Sequence, residues 1–225
     1  MSNKRRRART LPLPVRVVPR ERWGVALEVG GVVQSVSVPD GVGAVAGDER
    51  LPQPGPGGGY WGLLLPVGCP RRALLLGLGG GTVAHLLARR CPGVQMLGIE
   101  RDERIVSTAL SEMGLAALEQ LRIVEADAFA WVAEQAAAAP GSFDLVCVDL
   151  FDAGRLVPGT LATPFLRQIG SLMRPGGVLT MNLMVTARTP DQIHRLARVF
   201  TVERELRLRG NLVIHARANQ DVSPD

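Results

Sequence analysis

Apolar residues in the last two thirds of the chain fall into short runs that alternate with predicted helices. The runs predict strands at 73–76, 94–99, 121–125, 143–148 and 178–183. Runs this short and apolar are typical of strands that are buried on both faces of a parallel sheet. Helices are predicted between and after them, at 83–90, 103–111, 128–139, 163–173 and 190–200. The alternation therefore predicts an α/β fold, a mostly parallel sheet with helices on both faces.

The two ends of the chain have a different pattern. Near the C-terminus, 202–208 and 211–217 predict an antiparallel pair at one edge of the sheet, which brings it to seven strands. Near the N-terminus, two β-branched runs within 23–38 flank Gly30 and Gly31, which predicts a short β-hairpin with a tight turn.

These patterns divide the chain into three parts. Residues 1–20 contain several prolines and are predicted to be a basic disordered tail. Residues 21–59 hold the N-terminal hairpin and a loop rich in Gly and Pro. Residues 60–225 form the predicted α/β domain, and a chain of 225 residues is close to the size of one domain, roughly 100–200 residues.

The formal net charge of +5 comes from the tail. Residues 1–20 carry seven basic side chains and no acidic one, so the rest of the chain is close to neutral. A basic tail can bind nucleic acid or another anionic surface, or it can be a solubilising extension, and we favour the extension. The rest of the chain lacks the mixture of basic and aromatic residues of a nucleic-acid module, so nucleic acid is not an expected partner beyond the tail.

Composition excludes several classes of protein. Hydrophobic residues make up 46% and charged residues 21%, which is typical of a globular protein. No apolar run approaches the roughly 18 residues of a membrane-spanning helix, and the N-terminus lacks the apolar core of a secretion signal. The three cysteines, Cys69, Cys91 and Cys147, are an odd number without Cys-x-x-Cys spacing. We therefore expect neither a zinc site nor a disulfide framework, and a cytoplasmic location.

The loop after the first strand of the domain predicts a binding site for an adenosine-containing cofactor. Gly77, Gly79 and Gly81 allow a sharp turn and close approach of a ligand to the backbone. Glu100 ends the next strand, at the distance expected for a carboxylate that binds ribose hydroxyls. A dinucleotide fingerprint requires Gly or Ala where this chain has Thr82, so NAD-dependent oxidoreduction is disfavoured.

Asp127 follows the strand at 121–125 and precedes the apolar Ala128. Its carboxylate is placed to accept a hydrogen bond from an adenine amino group. It is also a favoured N-cap residue for the next helix, and both roles are compatible.

Five segments of the chain resemble the spermidine synthase family of aminopropyltransferases and, more loosely, the class I S-adenosylmethionine-dependent methyltransferases. These segments are LLGLGGG at 75–81, LGIERD at 97–102, EADAF at 125–129, FDLVCVDLFD at 143–152 and LMRPGGVL at 172–179. The hairpin with Gln34 resembles the family's N-terminal β segment, and the C-terminal antiparallel pair is typical of a methyltransferase-like Rossmann sheet. The resemblance implies a Rossmann-like class I methyltransferase fold.

The resemblance also implies a ligand and a set of site residues. The cofactor is S-adenosylmethionine or its decarboxylated form, without a metal. The implied cofactor-binding residues are Gln34, Gly77, Gly79, Gly81, Glu100, Asp127, Ala128 and Asp149. The catalytic residues are Asp149 and Asp152, which face the acceptor, and a carboxylate at that position can deprotonate or orient the attacking group. The family commonly pairs through its N-terminal region, which implies a homodimer.

The sequence differs from the family at positions that bind an amine substrate in that family. Gly80 stands where the family has an Asp that binds the amine end of decarboxylated S-adenosylmethionine. Tyr60 is followed by Trp61 instead of the family's His-Glu, and 164–166 lack the usual tyrosine. We therefore expect a transferase that moves a methyl group to an unidentified small-molecule nucleophile. The alternatives are aminopropyl transfer to a diamine and a non-catalytic adenosine-binding scaffold.

Overall fold

The computed structural model of the chain describes residues 13–20, 24–38, 59–152 and 154–218. Their strands are β1 (Val15–Arg20), β2 (Gly24–Val29), β3 (Val32–Val36), β4 (Arg72–Leu76), β5 (Gln95–Glu100), β6 (Leu121–Glu125), β7 (Phe143–Val148), β8 (Phe151–Asp152), β9 (Arg155–Leu156), β10 (Met173–Met184), β11 (Phe200–Leu208) and β12 (Asn211–Ala218). The α-helices are α1 (Thr82–Arg90), α2 (Glu103–Glu112), α3 (Ala128–Ala138), α4 (Thr163–Leu172) and α5 (Thr189–Ala197). Two short 3₁₀ segments lie at Tyr60–Leu64 and Leu115–Ala117.

The central sheet has seven strands in the order β11-β12-β10-β7-β4-β5-β6. The pairs from β10 to β6 are parallel, whereas β12 is antiparallel to both of its neighbours, β10 and β11. The predicted α/β fold, with a C-terminal hairpin inserted at one edge, is therefore confirmed.

Hydrophobic cores cover both faces of the sheet, and alternate residues of β4 supply them. Leu74 and Leu76 point into one core, which α3, α4 and α5 complete. Ala73 and Leu75 point into the other, which includes α1 and the N-terminal strands. A strand buried on both faces must be apolar at every position, so the run at 73–76 was a reliable signal.

The N-terminal region is a three-stranded antiparallel sheet in the order β1-β2-β3, so the prediction of a two-stranded hairpin was incomplete. The turn at Gly30 and Gly31 is confirmed, with φ of 60° and 80°. The boundary of the tail at residue 20 was wrong, because residues 15–20 form β1. The prolines excluded a helix, but β1 is an edge strand, where Pro19 pairs opposite Val25 without a ladder hydrogen bond from its nitrogen. Residues 1–12 of the predicted tail and most of the predicted Gly/Pro loop lie outside the described residues.

Other differences from the predicted elements are small. The predicted loop between 150 and 162 contains a short hairpin, in which Phe151 pairs with Leu156. Strand β10 begins five residues earlier than predicted and carries an irregularity before Val178. The last helix ends at Ala197, and Phe200 already belongs to β11.

A disulfide joins Cys69 to Cys91, with 5.3 Å between their Cα atoms, which contradicts the expectation of no disulfide. The disulfide could not be predicted from the sequence, because the two cysteines are 22 residues apart and share no local motif. They meet because α1 runs antiparallel to β4, so that the end of the helix returns to the start of the strand. Cys147 is a buried free thiol. Within the described part of the chain, no helix has the length and apolarity needed to cross a membrane.

Candidate active site

A cleft lies at the carboxyl ends of the parallel strands, where ligands bind in open α/β sheets. The glycine loop, the ends of β5, β6 and β7, and the N-terminal sheet all contribute to its walls. Of the residues predicted from the sequence, the cleft brings together Gln34, Gly77, Gly79, Glu100, Asp127, Ala128, Asp149 and Asp152. Gly81 does not line it.

The glycines of the loop have different reasons for lacking a side chain. Gly77 has φ of +84°, and a Cβ atom there would collide with the backbone carbonyl of Asp149. Gly79 has φ of +54° and lines the cleft. Gly81 is the left-handed N-cap of α1, and a Cβ atom there would collide with Leu115. Its role in the structure is therefore helix packing behind the loop.

Glu100 fixes the glycine loop in place. One carboxylate oxygen accepts the Gly79 N–H at 3.0 Å, and the other accepts the N–H groups of Arg101 and Asp102 at 2.9 and 3.2 Å. Each carboxylate oxygen can accept more than one hydrogen bond, so Glu100 retains capacity for ligand hydroxyls. The carboxylate is thus oriented by the backbone and faces the cleft.

Asp127 is the N-cap of α3, as one of its two predicted roles required. Its Oδ1 accepts the N–H groups of Phe129 and Ala130, both at 3.0 Å. No described residue donates to Oδ2, and Asp127 lines the cleft, so this geometry is compatible with a ligand contact as well.

The N-terminal hairpin is hydrogen-bonded to the glycine loop. The Ser35 hydroxyl accepts the Gly80 N–H at 2.8 Å. The Thr82 hydroxyl donates to the Val36 carbonyl at 2.7 Å and accepts the Val36 N–H at 2.9 Å. A Cβ atom on Gly80 would lie 2.8 Å from the Cβ of Ser35, so this position has no room for the family's Asp side chain.

Asp149 follows β7 at the floor of the cleft, with a donor on each oxygen. The Tyr60 hydroxyl donates to Oδ2 and the Asn182 side-chain amide donates to Oδ1, both at 2.9 Å. Burial raises the pKa of Asp149 to about 6, although the two donors oppose this by stabilising the ionised form. Asp149 is therefore mostly ionised at neutral pH and a stronger base than an ordinary Asp.

Asp152 lies in different surroundings. Its side chain is 61% exposed on β8, at the rim of the cleft, and its Oδ2 lies 3.0 Å from an Arg101 guanidinium nitrogen. The two predicted catalytic carboxylates thus differ in kind. Asp149 is held by neutral donors, and Asp152 is paired with a cation.

Asn182, which donates a hydrogen bond to Asp149, was not among the predicted site residues. A signal was present, because Asn182 is a polar residue within the apolar run that predicts β10. It is 1% exposed, and a buried amide in a central strand requires partners. Tyr60 was noted only as the start of an altered motif, yet burial and Asp149 raise its pKa well above the usual value and keep the hydroxyl protonated.

A family profile described as methyltransferase domain matches residues 72–221, from the start of β4 to beyond the end of β12. The chain belongs to the methyltransferase domain family. The predicted resemblance to both methyltransferases and aminopropyltransferases is confirmed as a similarity, because curated relatives of both kinds match the chain.

Two curated relatives represent the two kinds. The trans-aconitate 2-methyltransferase of Methylobacterium radiotolerans is 30% identical over 60% of this chain and 45% of its own length. The polyamine aminopropyltransferase of Chromobacterium violaceum is 27% identical over 69% of this chain and 60% of its own. The chain therefore spans about half the length of these relatives.

Solved structures agree on the fold. Human methyltransferase-like protein 13, in complex with SAH, covers 69% of this chain and 75% of its own with a TM-score of 0.61 at 20% identity. A spermidine synthase in complex with the transition-state analogue AdoDATO covers 94% of this chain and 72% of its own, with a TM-score of 0.64 at 14% identity. The match to spermidine synthase covers more of this chain than the match to methyltransferase-like protein 13. Both matches confirm the Rossmann-like sheet.

Proposed function

We propose that the chain is an S-adenosylmethionine-dependent methyltransferase that acts on a small-molecule acceptor whose nucleophile is uncharged. The observation that carries this proposal is that the carboxylates on the acceptor side of the cleft already have partners within the protein. Both oxygens of Asp149 accept hydrogen bonds from Tyr60 and Asn182, and the charge of Asp152 is paired with Arg101. A polyamine carries several ammonium groups and needs uncompensated carboxylates to bind them.

The cleft fits S-adenosylmethionine in its chemistry. A Cβ atom on Gly77 would collide with the Asp149 carbonyl, so the glycine loop packs closely against the end of β7 and both line the cleft. Glu100 would accept from the ribose hydroxyls, and Asp127 from the adenine amino group. Gln34, Gly79 and Ala128 would form the adjoining walls. Once bound, S-adenosylmethionine supplies an electrophilic methyl group, and the SAH and AdoDATO of the two solved relatives support this class of ligand.

The residues of the chain then act on the acceptor. Asp149 would accept a hydrogen bond or a proton from the attacking group, because its pKa of about 6 leaves it ionised at neutral pH. Tyr60 and Asn182 keep both carboxylate oxygens in place, which limits the conformations of the acceptor to those that can react. The positioning of two reactants accounts for the rest of the catalysis.

Replacing Glu100 with Gln tests the cofactor part of the proposal. A charged acceptor contributes about 1.5–3 kcal/mol to a hydrogen bond, so we expect S-adenosylmethionine to bind about 10- to 100-fold more weakly, measured by calorimetric titration. Glu103→Gln, which removes the same charge from an exposed residue of α2, should leave the affinity unchanged. Equal effects of the two variants, or no binding by the wild type, would contradict the proposal.

Aminopropyl transfer to a diamine is the second candidate. The extended match to spermidine synthase, which includes the N-terminal sheet, favours it. Two features of the structure oppose it, namely the lack of room for a side chain at Gly80 in the glycine loop and the cation beside Asp152. Titration with S-adenosylmethionine and with its decarboxylated form separates methyl transfer from aminopropyl transfer, because methyl transfer requires a preference for the carboxylated form.

Binding of either ligand without turnover of any acceptor would instead support the non-catalytic scaffold.

Replacing Arg101 with Gln should make the rim more favourable to diamines. Asp152 would lose its cation, and exposed ion pairs contribute up to about 1 kcal/mol, so we expect putrescine to bind up to about fivefold more tightly at low salt. The gain should disappear at high salt because the site is exposed. Arg207→Gln is the matched control, since Arg207 pairs with Glu205 on β11 and neither residue lines the cleft. A gain in both variants would show that only net charge matters.

A homodimer formed through the N-terminal region and a partner for the basic tail stay predictions. Both concern surfaces that include residues before β1. The solution mass of the full chain, and of a variant that lacks residues 1–12, would test the dimer.

A further inference from the structure

A chain of side-chain hydrogen bonds crosses three adjacent strands and ends at Asp149. Asn211, the first residue of β12, donates from Nδ2 to the Oδ1 of Asn182 at 3.0 Å. Asn182, in β10, donates from its own Nδ2 to Asp149 at 2.9 Å. Strand β10 lies between β12 and β7, so the two bonds run along one direction through the sheet.

The first bond determines which end of the Asn182 amide faces the carboxylate. An Asn side chain has one accepting and one donating end, and rotation by 180° exchanges them. When Asn211 donates to the oxygen, the NH₂ group points to Asp149. In the opposite orientation the Asn182 oxygen would face the carboxylate, and two acceptors would repel each other. Asn182 is 1% exposed, so bulk water does not compensate for such an error.

We propose that Asn211 is a positioning residue for the reaction, which orients the Asn182 amide so that it holds Asp149 toward the acceptor. The proposal rests on the proposed function of Asp149 as the group that accepts from the acceptor. Asn211 touches neither the cleft nor Asp149, so it acts only through Asn182. Its other side-chain contact is a weak one with the sulfur of Met184 at 3.9 Å.

The titration of Asp149 reports the orientation of the Asn182 amide, because the groups that contact Asp149 do not themselves change charge near neutral pH. Tyr60 stays protonated at neutral pH because burial raises its pKa. Cys147, in β7 two residues before Asp149, stays a thiol because burial raises its pKa to about 12. Asn182, the remaining partner, does not titrate. Loss of its donation should therefore raise the pKa of Asp149, since that donor lowers it in the wild type.

The test is a carboxyl ¹³C NMR titration of Asp149, assigned by comparison with Asp149→Asn, in four proteins. These are the wild type, Asn211→Leu, Asn182→Leu and the double variant. We expect Asn211→Leu to move the midpoint of Asp149 upward by about one pH unit, because a hydrogen bond to a charged group is disturbed. In the Asn182→Leu background, Asn211→Leu should cause no further shift, because the two act in series. Asn211→Ala removes the same amide with a smaller side chain and should reproduce the shift if the Leu variant folds poorly.

Two results would overturn the proposal. One is an unchanged Asp149 midpoint in Asn211→Leu and Asn211→Ala. The other is an equal shift with and without Asn182, which would indicate a general structural effect. The titration needs no acceptor, so it tests the positioning role even if the proposed methyl transfer fails. With an active acceptor, the acid limb of the pH profile of kcat should move in the same direction, while the affinity for S-adenosylmethionine stays unchanged.

Discussion

Replacing Asp149 with Asn is expected to reduce methyl transfer by about 10²- to 10⁴-fold, the range that a positioned general base contributes. Asn cannot accept a proton, and its NH₂ group would face the Asn182 or Tyr60 donor. The measurement is the formation of S-adenosylhomocysteine by mass spectrometry, with an acceptor that the wild type methylates. S-Adenosylmethionine affinity should change much less than turnover.

Asp152→Asn is the matched control for this prediction. Asp152 is exposed and paired with Arg101, so its loss should reduce turnover by less than about tenfold. Similar losses in both variants would mean that the two carboxylates share the catalytic role. No loss in Asp149→Asn would exclude Asp149 as the base.

Asp149→Asn should also alter the pH dependence of the free energy of unfolding. The pKa of Asp149 is raised to about 6 in the folded state, above its unfolded value of about 3.9. Its contribution to stability is therefore fully present below the unfolded pKa and is lost as the pH rises through 6. The shift corresponds to about 2 kcal/mol once the partial exposure of the carboxylate to the cleft is considered. The difference in unfolding free energy between wild type and Asp149→Asn, measured with urea at pH 4 and pH 8, should fall by this amount.

Reduction of the Cys69–Cys91 disulfide is expected to lower the free energy of unfolding by about 3 kcal/mol, or about 100-fold in the folding equilibrium. The bond closes a loop across a sequence separation of 22 residues, and a cross-link of this length restricts the unfolded chain by about that amount. The loop contains β4, the glycine loop and α1, so the loss concerns a part of the fold that lines the candidate cleft. The measurement is urea unfolding with and without a thiol reductant.

Cys69→Ser separates the disulfide from other effects of the reductant. This variant should have the stability of the reduced wild type and should not respond to reductant at all. If reductant destabilises the variant as much as the wild type, the effect has another cause. If the free thiol content of the purified wild type is three per chain, the bond does not form under those conditions.

The fold was predictable because the central strands of the parallel sheet, β4 and β7, are buried on both faces. Such strands leave short apolar runs, and the glycine loop and Glu100 mark the site that they position. Strand β1 could not be predicted in the same way. Its partner is β2 alone, it includes Pro19, and its residues are only partly buried, so its pairing left no periodic signal.

The sequence predicted residues that line the cleft and belong to a recognisable local motif, such as Gly77 and Glu100. The site was not predictable where protein groups satisfy each other. The pairing of Arg101 with Asp152 depends on the course of the loop after β7, and the Asn211–Asn182 bond depends on the register of β12 against β10. The disulfide depends likewise on the return of α1 to the start of β4. Tertiary contacts of this kind are formed by residues that are distant in sequence and carry no shared local motif.

Because the Ser35 hydroxyl accepts the Gly80 N–H, the smallest functional unit of this chain includes the N-terminal hairpin. The matched family region begins at residue 72, yet the backbone of its glycine loop is completed by a hydroxyl from the N-terminal hairpin. A fragment cut at residue 60 would lack the partners of the Gly80 amide and of the Thr82 hydroxyl. The N-terminal hairpin therefore belongs to the same structural unit as the glycine loop, although the two are distant in sequence. During synthesis, the hydrogen bonds that join the hairpin to the glycine loop can form only after residue 82 has been made.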